Sequence, residues 1–406
     1  MNPAPPPSAL RLQLTVYSML FAGGMWMSKV AQPLHFENAG ALVAFGIGYA
    51  VMALAGGLSF AWGALADRIG GRNAVLIGTL VYAAGIAGRL VTELGATIGF
   101  SALAGAGASL ALTGIRPWVR SQVRDDQISV VVAGRNLGNQ IGVFIGTVGA
   151  AALFAAATAV GTGTDAGPAV ALIAAPVLVV LAALWLLLSA RTHGRDVVPT
   201  ASAPSENAPQ WRGLAVKLAV IGVLSGFYVS LITPYLPLFL TRAGLPDSGA
   251  ALVIGVMSAA QIAVTAVLAR RGTGPRPFGA FVVAEVVAGA LTLGVGLLVD
   301  VAPVLLAALF IARAGFVALA VTAEETIQYA VIPGAAAGLV FGISQTAFLV
   351  GDALGGAVGA PLWGALGPAP LALIAGGVTV LNAVLLPVLL RTEPHRRSGD
   401  LTRRAA

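Results

Sequence analysis

Gly63-Ala64-Leu65-Ala66-Asp67-Arg68-Ile69-Gly70-Gly71-Arg72 is a short charged hinge between two long apolar stretches, 42–65 and 74–87. Both flanks are too apolar and too long for ordinary surface helices, so the hinge reads as a loop joining two membrane spans. Gly63 and Gly70 let the backbone turn and neighbouring helices approach, and Asp67 can pair with a cation or a helix N-terminus. Arg68 and Arg72 hold the loop on the cytoplasmic side. An acid inside a Gly/Arg frame is more than orientation alone requires.

The rest of the chain agrees with a membrane protein. Of 406 residues, 58% are apolar and 10% charged, against roughly 25% charged in a soluble domain. Backbone polar groups in lipid must bond within their own span, which points to a helical bundle. The chain has no Cys, which removes disulfides and thiolate metal sites. Residues 1–9 are Pro-rich and lack the charged start and cleavage site of a signal peptide, so residue 12 onward reads as a retained first span. The net charge of +7 is not a nucleic-acid signal, because most of it falls in loops on one side of the membrane.

Twelve apolar segments are expected at 12–34, 41–65, 73–91, 96–115, 130–155, 168–190, 214–239, 250–269, 278–299, 303–323, 335–359 and 368–390. With the N-terminus inside, one set of segments collects Arg11, Arg68, Arg72, Arg116, Arg120, Arg124, Arg135, Arg191, Arg212, Lys217, Arg270, Arg271, Arg276 and the basic tail. The opposite loops carry Glu37, Asp165, Asp247 and Asp300, with little basic charge beyond Arg242. Both termini are therefore expected in the cytoplasm. The Pro/Ser/Ala-rich stretch around 193–211 reads as a linker. It divides the chain into a first bundle at 1–190, a linker at 191–212 and a second bundle at 213–406.

The hinge resembles the Gly-x-Leu-x-Asp-Arg-x-Gly-Arg-(Lys/Arg) loop between the second and third spans of the major facilitator superfamily, with Gly71 inserted and Asn73 at a basic position. That resemblance implies an all-α membrane fold of twelve transmembrane helices in two pseudo-symmetric six-helix bundles. It also implies a substrate cavity lined by spans one, four, seven and ten, and halves that rock against each other. An internal repeat supports it: Leu65-Ala66-Asp67-Arg68 is echoed by Leu268-Ala269-Arg270-Arg271. Ala133-Gly134 with Gly138 is likewise echoed by Ala337-Gly338 with Gly342. Only the first half has the acid, so a gate latched by Asp67 is asymmetric.

Other family patterns are less faithful. The fourth-span Arg tied to proton coupling in relatives is Ser101 here, and the fifth-span Gly-Pro pattern of drug/proton antiporters survives as Gly138, Gly142 and Gly146 without its proline. Four-residue spacing puts these glycines on one face, where backbones can pack closely.

Charges inside spans cost at least a few kcal/mol to bury and mark function or pairing. Arg313 falls near the middle of the tenth span and Lys29 in the outer third of the first. Glu285 and Asp352 read as the only carboxylates well inside the bilayer, and Asp352, among glycines near the junction of the halves, is the favoured proton carrier. Glu285 and Arg313 are close enough in depth to neutralise each other. Arg89 and Glu93, four apart, read as an interfacial pair. Arg116 and Arg120 are either snorkelling residues or part of a cytoplasmic gate with Gly63, Asp67, Arg68, Gly70 and Arg72. Tyr17, Trp26, Lys29, Tyr228, Tyr235, Arg313, Phe316 and Gln345 are the candidate cavity residues. Trp62, Trp118 and Trp185 fit the interface belt. Pro234 and Pro237 predict a broken seventh span.

No catalytic constellation is visible: there is no pair of His at metal spacing, no phosphate loop and no cofactor motif. The favoured reading is a non-enzymatic secondary transporter of a small, amphipathic organic molecule, exporting it in exchange for protons, in the plasma membrane and as a monomer. Uptake symport is the nearer alternative. A receptor or lipid-handling protein of the same shape is the distant one.

Overall fold

The computed structural model describes residues 7–123, 125–161, 166–189, 208–271, 276–300, 302–332 and 337–390, and all their regular structure is helical. The expected linker falls almost wholly outside them. The first half contains α1 (Pro7–Asn38), α2 (Leu42–Gly57), α3 (Ser59–Ile69), α4 (Gly71–Ala87), α5 (Leu94–Gln122), α6 (Asp125–Ala159) and α7 (Ala166–Leu188). The second contains α8 (Ala208–Ile232), α9 (Leu236–Arg242), α10 (Asp247–Arg271), α11 (Pro277–Leu298), α12 (Pro303–Val331), α13 (Ala337–Leu366) and α14 (Pro368–Leu390).

Among the described residues ten spans are long and apolar enough to cross a membrane, and Leu42–Gly57 with Ala61–Ile69, bent by 56°, makes an eleventh when counted as one span. The first span is α1, identified by position and length rather than hydropathy, because Gln13, Ser18, Ser28 and Gln32 are buried within the protein. The second span breaks at Leu58, and Trp62 Nε1 bridges the break by donating to the Ala55 carbonyl at 2.9 Å. The seventh span breaks as its prolines predict: a 3-10 turn, Thr233–Tyr235, separates α8 from α9. Two expected belt residues face inward instead. Trp118 is buried, and Trp185 Nε1 donates to the Gln13 carbonyl at 3.1 Å, tying α7 to α1.

Helix contacts repeat between the halves. In the first, α1 lies on α6 and α7, α4 on α5 and α7, and α2 on α5. In the second, α8 lies on α13 and α14, α11 on α12 and α14, and α10 on α12. Glycines make the tightest approaches: a Cβ on Gly138, Gly142 or Gly146 would collide with the carbonyl of Thr15, Met19 or Gly23 on α1. The matching contacts in the second half are Gly351 on the Val223 carbonyl and Gly355 on that of Phe227. A Cβ on Gly342, which the sequence repeat pairs with Gly138, would meet nothing within 4 Å. The contact register is thus shifted along α13 from the sequence register. Gly71 has its own task, since a Cβ there would stand 2.5 Å from the Trp118 nitrogen and 2.6 Å from the Gly114 carbonyl.

The halves meet along α2 with α13 and α6 with α10. The first seam is tight at its Phe45 end, where a Cβ on Gly46 would lie 2.5 Å from Ala360 Cβ. Toward the hinge it loosens: a Cβ on Gly57 would lie at an ordinary 3.6 Å from Leu349 Cβ, and one on Gly63 would meet nothing within 4 Å. An aromatic plug closes the tight end. Phe36 and Phe45 are joined through an edge contact of 5.6 Å to Tyr235, which stacks on Trp363 at 5.8 Å, and Trp363 meets Phe239 at 5.0 Å.

Candidate functional site

A cleft holding about 460 Å³ of empty space, open solvent included, lies beside the plug, between the halves. The first half supplies Trp26, Lys29, Val30, Gln32, Phe45, Tyr49, Met52 and Arg89; the second supplies Thr233, Pro234, Leu236, Pro237 and Ile254. Helix periodicity explains the first wall. Phe45, Tyr49 and Met52 follow at steps of four and three on α2, and Trp26 and Lys29 are three apart on α1. That spacing sets Lys29 Nζ 5.0 Å from the centre of the Trp26 ring. Spans one and seven line this cavity as expected, but the remaining wall comes from spans two, three and eight rather than four and ten.

Across the seam, Tyr49 Oη donates to Asp352 Oδ1 at 3.2 Å, and the charges of Lys29 and Asp352 attract each other. Gly351 and Gly355 hold α13 against α8. Asp352, a step from Gly351, is thereby left at the α2 seam.

Arg89 is not at an interface with Glu93. The helix α4 ends at Ala87, and the 3-10 turn Gly88–Leu90 carries Arg89 inward, where it is 4% exposed. Its Nη1 donates to Ser28 Oγ at 2.7 Å and its Nη2 contacts Met52 Sδ at 3.0 Å. Glu93 instead caps α5, its two carboxylate oxygens accepting from the backbone nitrogens of Gly95 and Ala96, each at 2.8 Å. Those N–H groups, Ala96 first, hold the Glu93 carboxyl below the usual range.

A second polar cluster is buried in the other half. Tyr228 Oη and Asn382 Nδ2 donate to Glu285 Oε1 at 2.6 and 3.1 Å, and Arg313 Nε donates to Thr292 Oγ1 at 2.8 Å. The charges of Glu285 and Arg313 attract each other. Glu324, whose Oε1 accepts from Gln328 Nε2 at 2.9 Å, feels Glu285 as well. The expectation of two intramembrane acids is therefore short by two: α12 continues past Ala323, and the apolar span extends to Gln328, taking in Glu324 and Glu325.

Of the candidate cavity residues, Trp26 and Lys29 line the cavity, while Tyr228 and Arg313 belong to the second cluster. Tyr17 bonds to Thr79 Oγ1 at 2.9 Å between α1 and α4, and Tyr235 sits in the plug. Phe316 is half-buried on α12 and Gln345 exposed on α13. In the hinge, Asp67, Arg68 and Gly70 are exposed, Gly63 is half-buried, and Arg72 Nη2 donates to the Leu186 carbonyl. The side chains of Arg116 and Arg120 lie outside the description. Among the described residues no group of His, Asp and Glu could hold a metal. Sequence reasoning passed over Tyr49, Met52, Ser28 and Asn382; the four-and-three step of Phe45, Tyr49 and Met52 was the available signal.

Glu285→Gln keeps an acceptor oxygen for Tyr228 and Asn382 but leaves Arg313 without its counter-charge. Breaking a buried pair in direct contact costs about 3–5 kcal/mol, and the cost here falls below that because Glu285 and Arg313 bond to neutral neighbours rather than to each other. Glu285→Gln and Arg313→Gln should each lower the melting temperature of purified protein, and the double variant should lose less than the sum. Additive losses would show that these charges do not compensate each other.

The family described as the Major Facilitator Superfamily matches residues 14–356. Among solved structures, the nucleoside transporter NupG is similar over 95% of this chain and 100% of that one, with 16% identity and a TM-score of 0.70. An auto-inhibited peptide transporter of the POT family is similar over 96% and 98%, with 13% identity and a TM-score of 0.76. A D-xylose–proton symporter is similar over 93% and 97%, with 14% identity and a TM-score of 0.68. At such identities the likeness concerns the fold. No curated protein sequence matches.

Proposed function

Because the chain belongs to the major facilitator superfamily, and is a multi-pass transporter rather than an enzyme, we propose that it moves a small amphipathic organic molecule by alternating access, exporting it in exchange for protons. One juxtaposition supports this reading. An acid on α13 and a base on α1 face each other through Tyr49 of α2, across the seam that must open for the halves to rock and beside the cavity between them. A carboxyl held in that seam exchanges protons differently according to which side is open, which links its titration to the state of the halves.

In this reading both termini are cytoplasmic, the membrane is the plasma membrane and the working unit is the monomer. The plug then closes the outer side and the loosened seam faces the cytoplasm. The hinge acts in the opposite state: Asp67, exposed here, ties the inner end of the second span to the start of α13 when the cytoplasmic side closes. Asp67→Asn should raise cytoplasmic accessibility and slow turnover with the fold intact. Unchanged accessibility and unchanged transport would remove the latch.

The direct test is proton flux in reconstituted vesicles with a panel of cationic, anionic and neutral amphiphiles. Antiport predicts that a transported amphiphile drives protons the opposite way. Co-directional flux would establish uptake symport, and binding without any flux would establish a protein that does not turn over.

A further inference from the structure

Among the described residues, Arg313, the other buried arginine, has Glu285 as a counter-charge, and half-buried Lys29 has Asp352. Arg89 is different. It is 4% exposed, yet its bonding partners are a hydroxyl and a thioether, both neutral. Its Nε is buried with no partner. Glu93, the nearest acid in sequence, has both oxygens committed to the N-terminus of α5. A buried guanidinium is kept at this cost only where something compensates it, and among the described residues no carboxylate does.

Arg89 lines the cavity together with Lys29, and the two charges repel each other. The wall around them is aromatic and apolar: Trp26, Phe45 and Pro234 offer flat surface without further charge. The missing component is therefore negative, small and attached to an apolar body. We propose that this cavity is the binding site for an amphipathic organic anion, whose carboxylate or comparable oxyanion is held by Arg89 with Lys29 and whose ring or chain lies on the aromatic wall. Arg89 suits an oxyanion because its planar fork presents several donors at once, and Ser28 and Met52 fix its plane.

This names the substrate class of the transporter proposed above and rests on that reading for turnover, but binding can be measured without a gradient. Isothermal titration of detergent-purified protein with 2-naphthoate, 2-naphthamide and 2-naphthylmethylammonium varies only the head group. The anion should bind at least roughly tenfold more tightly than the amide, with the ammonium weakest. Arg89→Gln should reduce the naphthoate affinity to that of the amide, and Arg89→Lys should keep part of the preference. Equal binding of the three probes, binding of none, or an undiminished anion preference in a folded Arg89→Gln protein would overturn the proposal. Phosphatidylglycerol binding without naphthoate binding would also overturn it, assigning the site to a lipid headgroup. Should Arg89→Gln fail to fold, the head-group series on the unaltered protein still decides. Loss of proton coupling in vesicles would sink the antiport reading and leave this titration unaffected.

Discussion

Asp352→Asn is expected to abolish accumulation driven by a pH gradient while leaving substrate exchange at equal pH on both sides. One pH unit is worth about 1.4 kcal/mol, so one exchanged proton supports about a tenfold concentration ratio. The unaltered protein should approach that ratio, and the Asn variant should stay near unity. The seam explains why the two activities separate. An amide oxygen at 352 can still accept from Tyr49, whose bond to Asp352 Oδ1 spans 3.2 Å, so the contact between α2 and α13 survives. What is lost is the charge opposite Lys29 and the proton itself. The residues on the cavity wall are untouched, which preserves binding and downhill exchange. If the Asn variant accumulates substrate to the same ratio with the same dependence on the gradient, Asp352 is not the carrier. Glu285 and Glu324, in the second buried cluster, would then be the acids to replace next.

The fold was legible because its signals are local in the chain. The hinge at residues 63–72, apolar runs long enough to span, and two prolines flanking Tyr235 each act through backbone chemistry or hydropathy that a single segment carries. The fifth-span glycines were legible for the same reason, as one-face spacing needs only 3.6 residues per turn. The site was harder. Arg89 and Glu93 read as a helical pair only if one helix continues through both; α4 stops at Ala87 instead, and the following turn sends the two side chains apart. The expected tenth span ends at residue 323, one short of Glu324 and Glu325, whereas α12 runs on to Val331 because neighbouring helices cover Glu324. Tyr49 acquires significance only from Asp352, far away in sequence on the other half. Composition and spacing define which surfaces are apolar, but pairing between halves is a tertiary property.

The glycine register offers the sharpest test of the packing itself. In sequence, Gly138 is matched by Gly342, which would make leucine equally harmful at both. On α13 the close approaches fall at Gly351 and Gly355 instead, each set against a carbonyl of α8. Leucine at 138, 142 or 351 must push two backbones apart, because the atom it meets is main chain and cannot rotate away. Overpacking of this kind costs about 1–3 kcal/mol and occasionally more. Rigid backbone on both sides places these positions at the upper end. A Cβ on exposed Gly342 would meet nothing within 4 Å, so leucine there should cost little and regain up to about 1 kcal/mol of helix propensity. Melting temperatures in one detergent should therefore fall sharply for Gly138→Leu, Gly142→Leu and Gly351→Leu and stay level or rise for Gly342→Leu. A loss at Gly342 as large as at Gly138 would show that Gly342 packs on a partner helix as Gly138 does, restoring the sequence register and removing the shift along α13.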